Sequence, residues 1–139
     1  MTTALTLDVV RSLLDAVIEA AAAREVRVSV VVVDARGELV GSLRMDGAPG
    51  FTPSVARAKA RTSVLMGADS GSLAGLKADY PKLVDQISDH AGFRITTMAG
   101  ALVLRDGDEV AGAVAVSGAH PDVDVACAEA ARTLFTNLA

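Results

Sequence analysis

Val26-Arg27-Val28-Ser29-Val30-Val31-Val32-Val33 is followed by Asp34-Ala35-Arg36-Gly37 and then by Glu38-Leu39-Val40-Gly41-Ser42-Leu43-Arg44. The first run is dominated by a β-branched residue and is apolar on both faces of an extended chain. It therefore reads as a central strand covered on each side. The Asp and Gly of the next four residues mark a turn, and residues 38–44 return as the hairpin partner.

Upstream, Val10, Leu13, Leu14, Val17, Ile18 and Ala21 fall on one face of a helix over 7–24. Thr6 is placed to cap it, and Arg11, Asp15 and Glu19 line its solvated face. Downstream, Met45-Asp46-Gly47-Ala48-Pro49-Gly50 has too many backbone breakers for regular structure. Thr52 and Pro53 then resemble an N-cap and first position for a helix to about Met66. Ala56, Ala58 and Ala60 make this helix thin enough for close packing, with Arg57 and Arg61 on one face and Val55, Lys59 and Thr62 on another. The Gly/Ser-rich residues 67–75 read as a connection, and Leu76, Tyr80, Leu83, Val84 and Ile87 as short helical turns around Pro81. Residues 93–97, 100–104 and 109–117 read as three strands, the last two joined by Arg105-Asp106-Gly107-Asp108, and Asp122 as the cap of a final helix. The expected fold class is α/β (α+β): a five-stranded antiparallel sheet with helices on both faces, in a single domain over 1–139. Hairpin connections and the lack of GxGxxG or GxxxxGK[ST] argue against a parallel nucleotide-binding fold.

The chain has 139 residues, 51% hydrophobic and 3% aromatic, which is ample for one core filled mainly by Val, Leu, Ile and Ala. A formal charge of −4 without any basic run argues against nucleic acid as a partner. The opening Met1-Thr2-Thr3-Ala4 has no secretory pattern, and no apolar run approaches the ~20 residues needed to span a bilayer, so a cytoplasmic protein without membrane partners is expected. The lone Cys127 reads as a small buried apolar residue, and without HExxH or CxxC spacing no metal site is expected.

Four stretches taken together resemble the GlcG/HbpS-like family, which is related to the PduO C-terminal domain: Val33-Asp34-Ala35-Arg36-Gly37-Glu38-Leu39, Arg44-Met45-Asp46-Gly47-Ala48, Ala58-Lys59-Ala60-Arg61-Thr62, and Asp106-Gly107 through Gly112-Ala113-Val114-Ala115-Val116-Ser117-Gly118. The resemblance implies a profilin-like domain, self-association through dimers into larger rings or octamers, and haem or a related tetrapyrrole as ligand in some members. The chain departs from the family's pattern at Ala99-Gly100-Ala101-Leu102, where Gly-Gly-x-Pro is common, and at His120, where Thr is frequent.

Arg44, Asp46 and Lys59 form the first candidate constellation. Two cations grip an anionic group and the carboxylate orients one of them, the alternative being an ion pair that ties loop to helix. Thr62, Gly100 and Ser117 complete the expected ligand-binding set. His90 and His120 are the only imidazoles and so the first candidates for proton transfer or axial ligation, with His120 preferred and a solvated loop histidine as the alternative for each. Met45 and Tyr80 are further axial candidates. Two functions follow: an oligomeric binding protein for haem or another planar carboxylated compound, or a cofactor-independent lyase, isomerase or hydrolase acting on a small organic acid or ring compound with a His base and an Arg/Lys clamp. A purely structural assembly subunit is the third reading.

Overall fold

A computed structural model describes residues 5–138. The opening stretch on which the cytoplasmic expectation rests lies outside the described residues. The elements run α1 (Leu7–Ala23), β1 (Ser29–Asp34), β2 (Leu39–Arg44), α2 (Thr52–Met66), a 3-10 turn (Ser70–Leu73), α3 (Ala74–Asp79), α4 (Pro81–Ala91), β3 (Ala101–Asp106), β4 (Glu109–Ser117) and α5 (Pro121–Leu138). No described helix is long and apolar enough to cross a membrane.

The sheet has the order β2-β1-β4-β3, and every pairing is antiparallel. Side chains alternate along each strand, and the residues on the sheet's two faces differ in size. Val30, Val32, Leu102, Leu104, Val114 and Val116 face α1 and α5 and pack with Leu13, Val17, Cys127 and Phe135. Val31, Val33, Ala101, Ala113 and Ala115 face α2, which answers with Ala56 and Ala60. Small residues on both sides let α2 lie close to the sheet, whereas the larger face supports two helices.

The sheet has four strands among the described residues, not the expected five. Residues 94–98 form no strand, and three of their amide donors are taken by hydroxyls. Ile95 N–H donates to Ser88 Oγ (3.0 Å), Thr96 N–H to Thr62 Oγ1 (3.1 Å) and Met98 N–H to Thr96 Oγ1 (3.2 Å). The outer edge of β3, where a fifth strand would pair, is closed in the same way. Val103 N–H donates to Asp69 Oδ1 (2.9 Å) and Ala101 N–H to Ser70 Oγ (3.1 Å). The apolar signal of 93–97 comes from Phe93, which is half-buried, and Ile95, which is buried, neither of them in a strand.

Two helix starts also differ from expectation. Thr52 lies inside α2, where its hydroxyl donates to the Pro49 carbonyl and bonds Ser29 Oγ, each at 2.8 Å. Pro121 opens α5 and places Asp122 in the first turn, with its N–H donating to His120 Nδ1 (3.2 Å). Thr6 does cap α1, accepting from Val9 N–H at 3.3 Å.

The close approach of α2 predicts a size limit. Replacing fully buried Ala60 by Leu lowers stability by about 1–3 kcal/mol through overpacking. Exposed Arg57→Leu on the same helix shifts it by less than about 0.5 kcal/mol. Urea unfolding of the two variants checks this difference.

Candidate functional site

Lys59 is the largest fully buried side chain of the described residues. It lies on the sheet-facing stripe of α2 with Ala56, Ala60 and Ser63, so its amine must be satisfied inside the protein. Nζ donates to the Val116 carbonyl (2.9 Å) and to Asp124 Oδ2 (3.3 Å), with Lys59 and Asp124 exposed by only 1% and 2%. The other carboxylate oxygen of Asp124 accepts from Ala119 N–H at 3.1 Å. Burial pulls the Lys59 ammonium below its usual range, opposed by the charge and hydrogen bond of Asp124. Burial likewise pushes the Asp124 carboxyl up, opposed by Lys59 and the Ala119 amide.

Gly100 is explained by this pair. Its φ is +136°, and a Cβ there would stand 2.6 Å from both Lys59 Nζ and the Val116 oxygen. Gly100 therefore supplies the space in which the ammonium sits. Thr62, also buried, donates to the Ala58 carbonyl (2.7 Å) while holding Thr96 N–H, so it pins residues 94–98 to α2. Ser117 ends β4 in register with Ser29.

The structure does not bring the Arg44, Asp46 and Lys59 constellation together. Arg44 and Asp46 flank a shallow cleft with Arg27 and Met45, whereas the carboxylate partner of Lys59 is Asp124. The Asp46 carbonyl accepts from Arg27 (2.8 Å), and Met45 Sδ accepts from Val28 N–H (3.5 Å). His120 is an exposed helix-start residue, 3.9 Å from the Asp122 carboxylate. His90 lies in the last turn of α4, beside Arg36 and Arg61 in a separate cleft. Tyr80 is exposed at the α3–α4 junction. Cys127 is wholly buried, and burial pushes its thiol up, which fits packing rather than nucleophilic chemistry. Among the described residues no cluster of three or more His, Cys, Asp or Glu is placed to hold a metal ion.

The site best suited to an organic ligand is a cleft of about 510 Å³ between α2, α3, α4 and residues 94–98. Val55, Pro81, Val84, Ile95 and Met98 give it apolar walls. Lys77 and Arg94 add two cations, against the single carboxylate of Asp85. Its inner wall is the 94–98 segment, held by the hydroxyls of Thr62 and Ser88. Sequence reading missed Lys77 and Arg94 because neither sits in a motif; the cleft exists only through the unpaired path of 94–98.

A sequence profile described as "Haem degrading protein HbpS-like" matches residues 5–133. The chain belongs to the HbpS-like family. Among solved structures, this HbpS-like chain is 30% identical to a double mutant of HbpS from Streptomyces reticuli, with a TM-score of 0.84 over 96% of this chain and 88% of that one. It is 26% identical to PduOC in a structure described as a haem complex, with a TM-score of 0.83 over 94% of each chain. Protein ORFY of Klebsiella pneumoniae, 23% identical over 100% of this chain and 96% of that one, shares the fold with a TM-score of 0.80. No curated protein sequence matches the chain.

The buried pair gives the HbpS-like chain a specific pH signature. Asp124→Asn leaves an uncompensated buried ammonium and costs about 3–5 kcal/mol at neutral pH. Without Asp124 the folded-state value of Lys59 falls further below the ordinary 10.5, so between the two values the unfolded chain binds more protons. Stability of the variant therefore rises as pH increases toward 10.5. Denaturant midpoints measured from pH 7 upward follow that recovery, and a flat or falling profile contradicts it.

Proposed function

We propose that this HbpS-like protein binds a planar, carboxylated small molecule, with haem the first candidate, in the cleft between α2, α3, α4 and residues 94–98. The observation that carries this reading is the combination of apolar walls with Lys77 and Arg94 in one groove. An apolar ring system buries against Val55, Val84 and Ile95, while peripheral carboxylates pair with the two cations. The haem complex of PduOC, 26% identical, supports the same ligand class.

The residues present fit haem in two respects. The groove is apolar enough to shield a macrocycle, and the exposed Met98 thioether among its lining residues is a type of haem ligand. Bound haem supplies redox chemistry, while the chain's own part is to exclude water from the ring faces, pair the carboxylates and offer Met98. Thr62 and Ser88 act indirectly by holding the 94–98 wall.

Haem titration of the full chain is expected to give a Soret band that saturates near one equivalent per protomer. Reversing both charges, Lys77→Glu with Arg94→Glu, weakens binding by about tenfold or more, and Met98→Ala alters the band position. Unchanged affinity in the double variant overturns this placement of the site.

We further propose that the protein self-associates. β2 ends the sheet order, and its Leu39 and Leu43 are 47% and 41% exposed, an apolar edge suited to another copy. Light scattering in physiological salt is expected to show a dimer or larger assembly at micromolar concentration; a monomer there overturns the proposal.

A further inference from the structure

We propose that the cleft between the β1–β2 turn, α2 and the end of α4 is a second binding site, for a small organic anion with a carboxylate head and an apolar body. This cleft of about 390 Å³ shares no lining residue with the groove assigned to the planar ligand. Three separate parts of the chain build it. The turn contributes Arg36 and Gly37, α2 contributes Arg61 and Leu65, and the end of α4 with the residues just after it contributes His90 and Phe93.

Its lining holds two guanidiniums and an imidazole but no carboxylate. In a chain of formal charge −4 this is a local reversal of sign, which concentrates anions at one place on the surface. The state of these arginines separates them from a structural one elsewhere. Arg132 is consumed by Asp69 at 2.9 Å and by Glu129 at 2.5 Å. Among the described residues neither Arg36 nor Arg61 forms an ion pair.

Arg61 is also held ready. Its guanidinium carbon lies 4.0 Å from the centroid of the Phe93 ring. Its stem passes under buried Gly37, where a Cβ would come within 3.9 Å of Arg61 Cγ. Stacked on an aromatic face, the side chain gives up less freedom when it captures a ligand. Guanidinium geometry matches a carboxylate in two parallel hydrogen bonds, and His90 adds a further polar contact. The apolar surface of Val64, Leu65 and Phe93 calls for a ligand larger than a bare inorganic anion.

Benzoate is the probe. Titrated into the full chain with isotope-labelled histidine and arginine side chains, it is expected to shift the His90 ring and Arg61 guanidinium signals along one saturable curve while the His120 ring stays fixed. Benzylamine, with a similar body and opposite charge, is expected to shift neither. Arg36→Gln with Arg61→Gln weakens benzoate binding by about tenfold or more. Arg36→Gln alone, at an exposed turn position, weakens it severalfold and replaces the double variant if that one loses its dispersed amide spectrum. Equal response of His120 and His90, or unchanged affinity in the Arg36 variant, overturns the site. Inorganic phosphate binding as tightly as benzoate overturns the ligand class. Haem binding in the other groove leaves each of these outcomes unaffected.

Discussion

The ion pair between Lys59 and Asp124 is the contact around which the three layers are organised. Helices on opposite faces of a sheet are ordinarily kept apart by it. Here α2 reaches α5 through a single side chain, with the Val116 carbonyl as a waypoint and the missing side chain of Gly100 as the passage. A buried ammonium without its carboxylate is far more costly than no ammonium at all. The positions of α2, the end of β4 and the start of α5 are therefore mutually dependent, and the Ala119 amide extends the dependence into the turn before α5.

The clefts proposed as binding sites lie on the opposite side of α2 from this pair, and the groove walled by residues 94–98 owes its shape to side chains that replace backbone pairing. Hydroxyls of Thr62 and Ser88 take amides that would otherwise seek a strand. The segment they hold lies against α2 as a wall rather than joining the sheet. The same economy of donors seals β3, where Asp69 accepts both the Val103 amide and the Arg132 guanidinium. The groove beside residues 94–98 is thus a by-product of how the chain after α4 is satisfied.

Much of this architecture was legible in the sequence. The Val-rich run and its turn specified β1 and β2, the spacing of Val10, Leu13, Leu14 and Val17 specified α1, and Ala56 and Ala60 announced close packing. The fifth strand failed because Ile95 gives an apolar signal that does not reveal where neighbouring amides are satisfied. The constellation of Arg44, Asp46 and Lys59 is not assembled for a different reason: nearness in sequence does not specify nearness in space. Periodicity held a better signal. Asp124 falls on the helical stripe of Cys127, Ala128, Ala131 and Phe135, and Lys59 falls on that of Ala56 and Ala60. A charged residue on each of two buried stripes, opposite in sign, is the pattern of a buried pair. Lys77 and Arg94 had no comparable signal, since their significance depends on a cleft formed by tertiary folding.

The closure of β3 by side chains also makes the sheet polar in the geometric sense. One margin has its outward amides at Val103 and Ala101 already engaged, while the margin at β2 has no neighbouring strand among the described residues. A sheet with two open margins can add copies without limit, as a fibre does. A sheet with one can accept a single neighbour, and once two copies meet margin to margin there is no strand left on which to continue. Were copies of this chain to pair through β2, that pairing would end at two, and a larger assembly would need helix faces or loops.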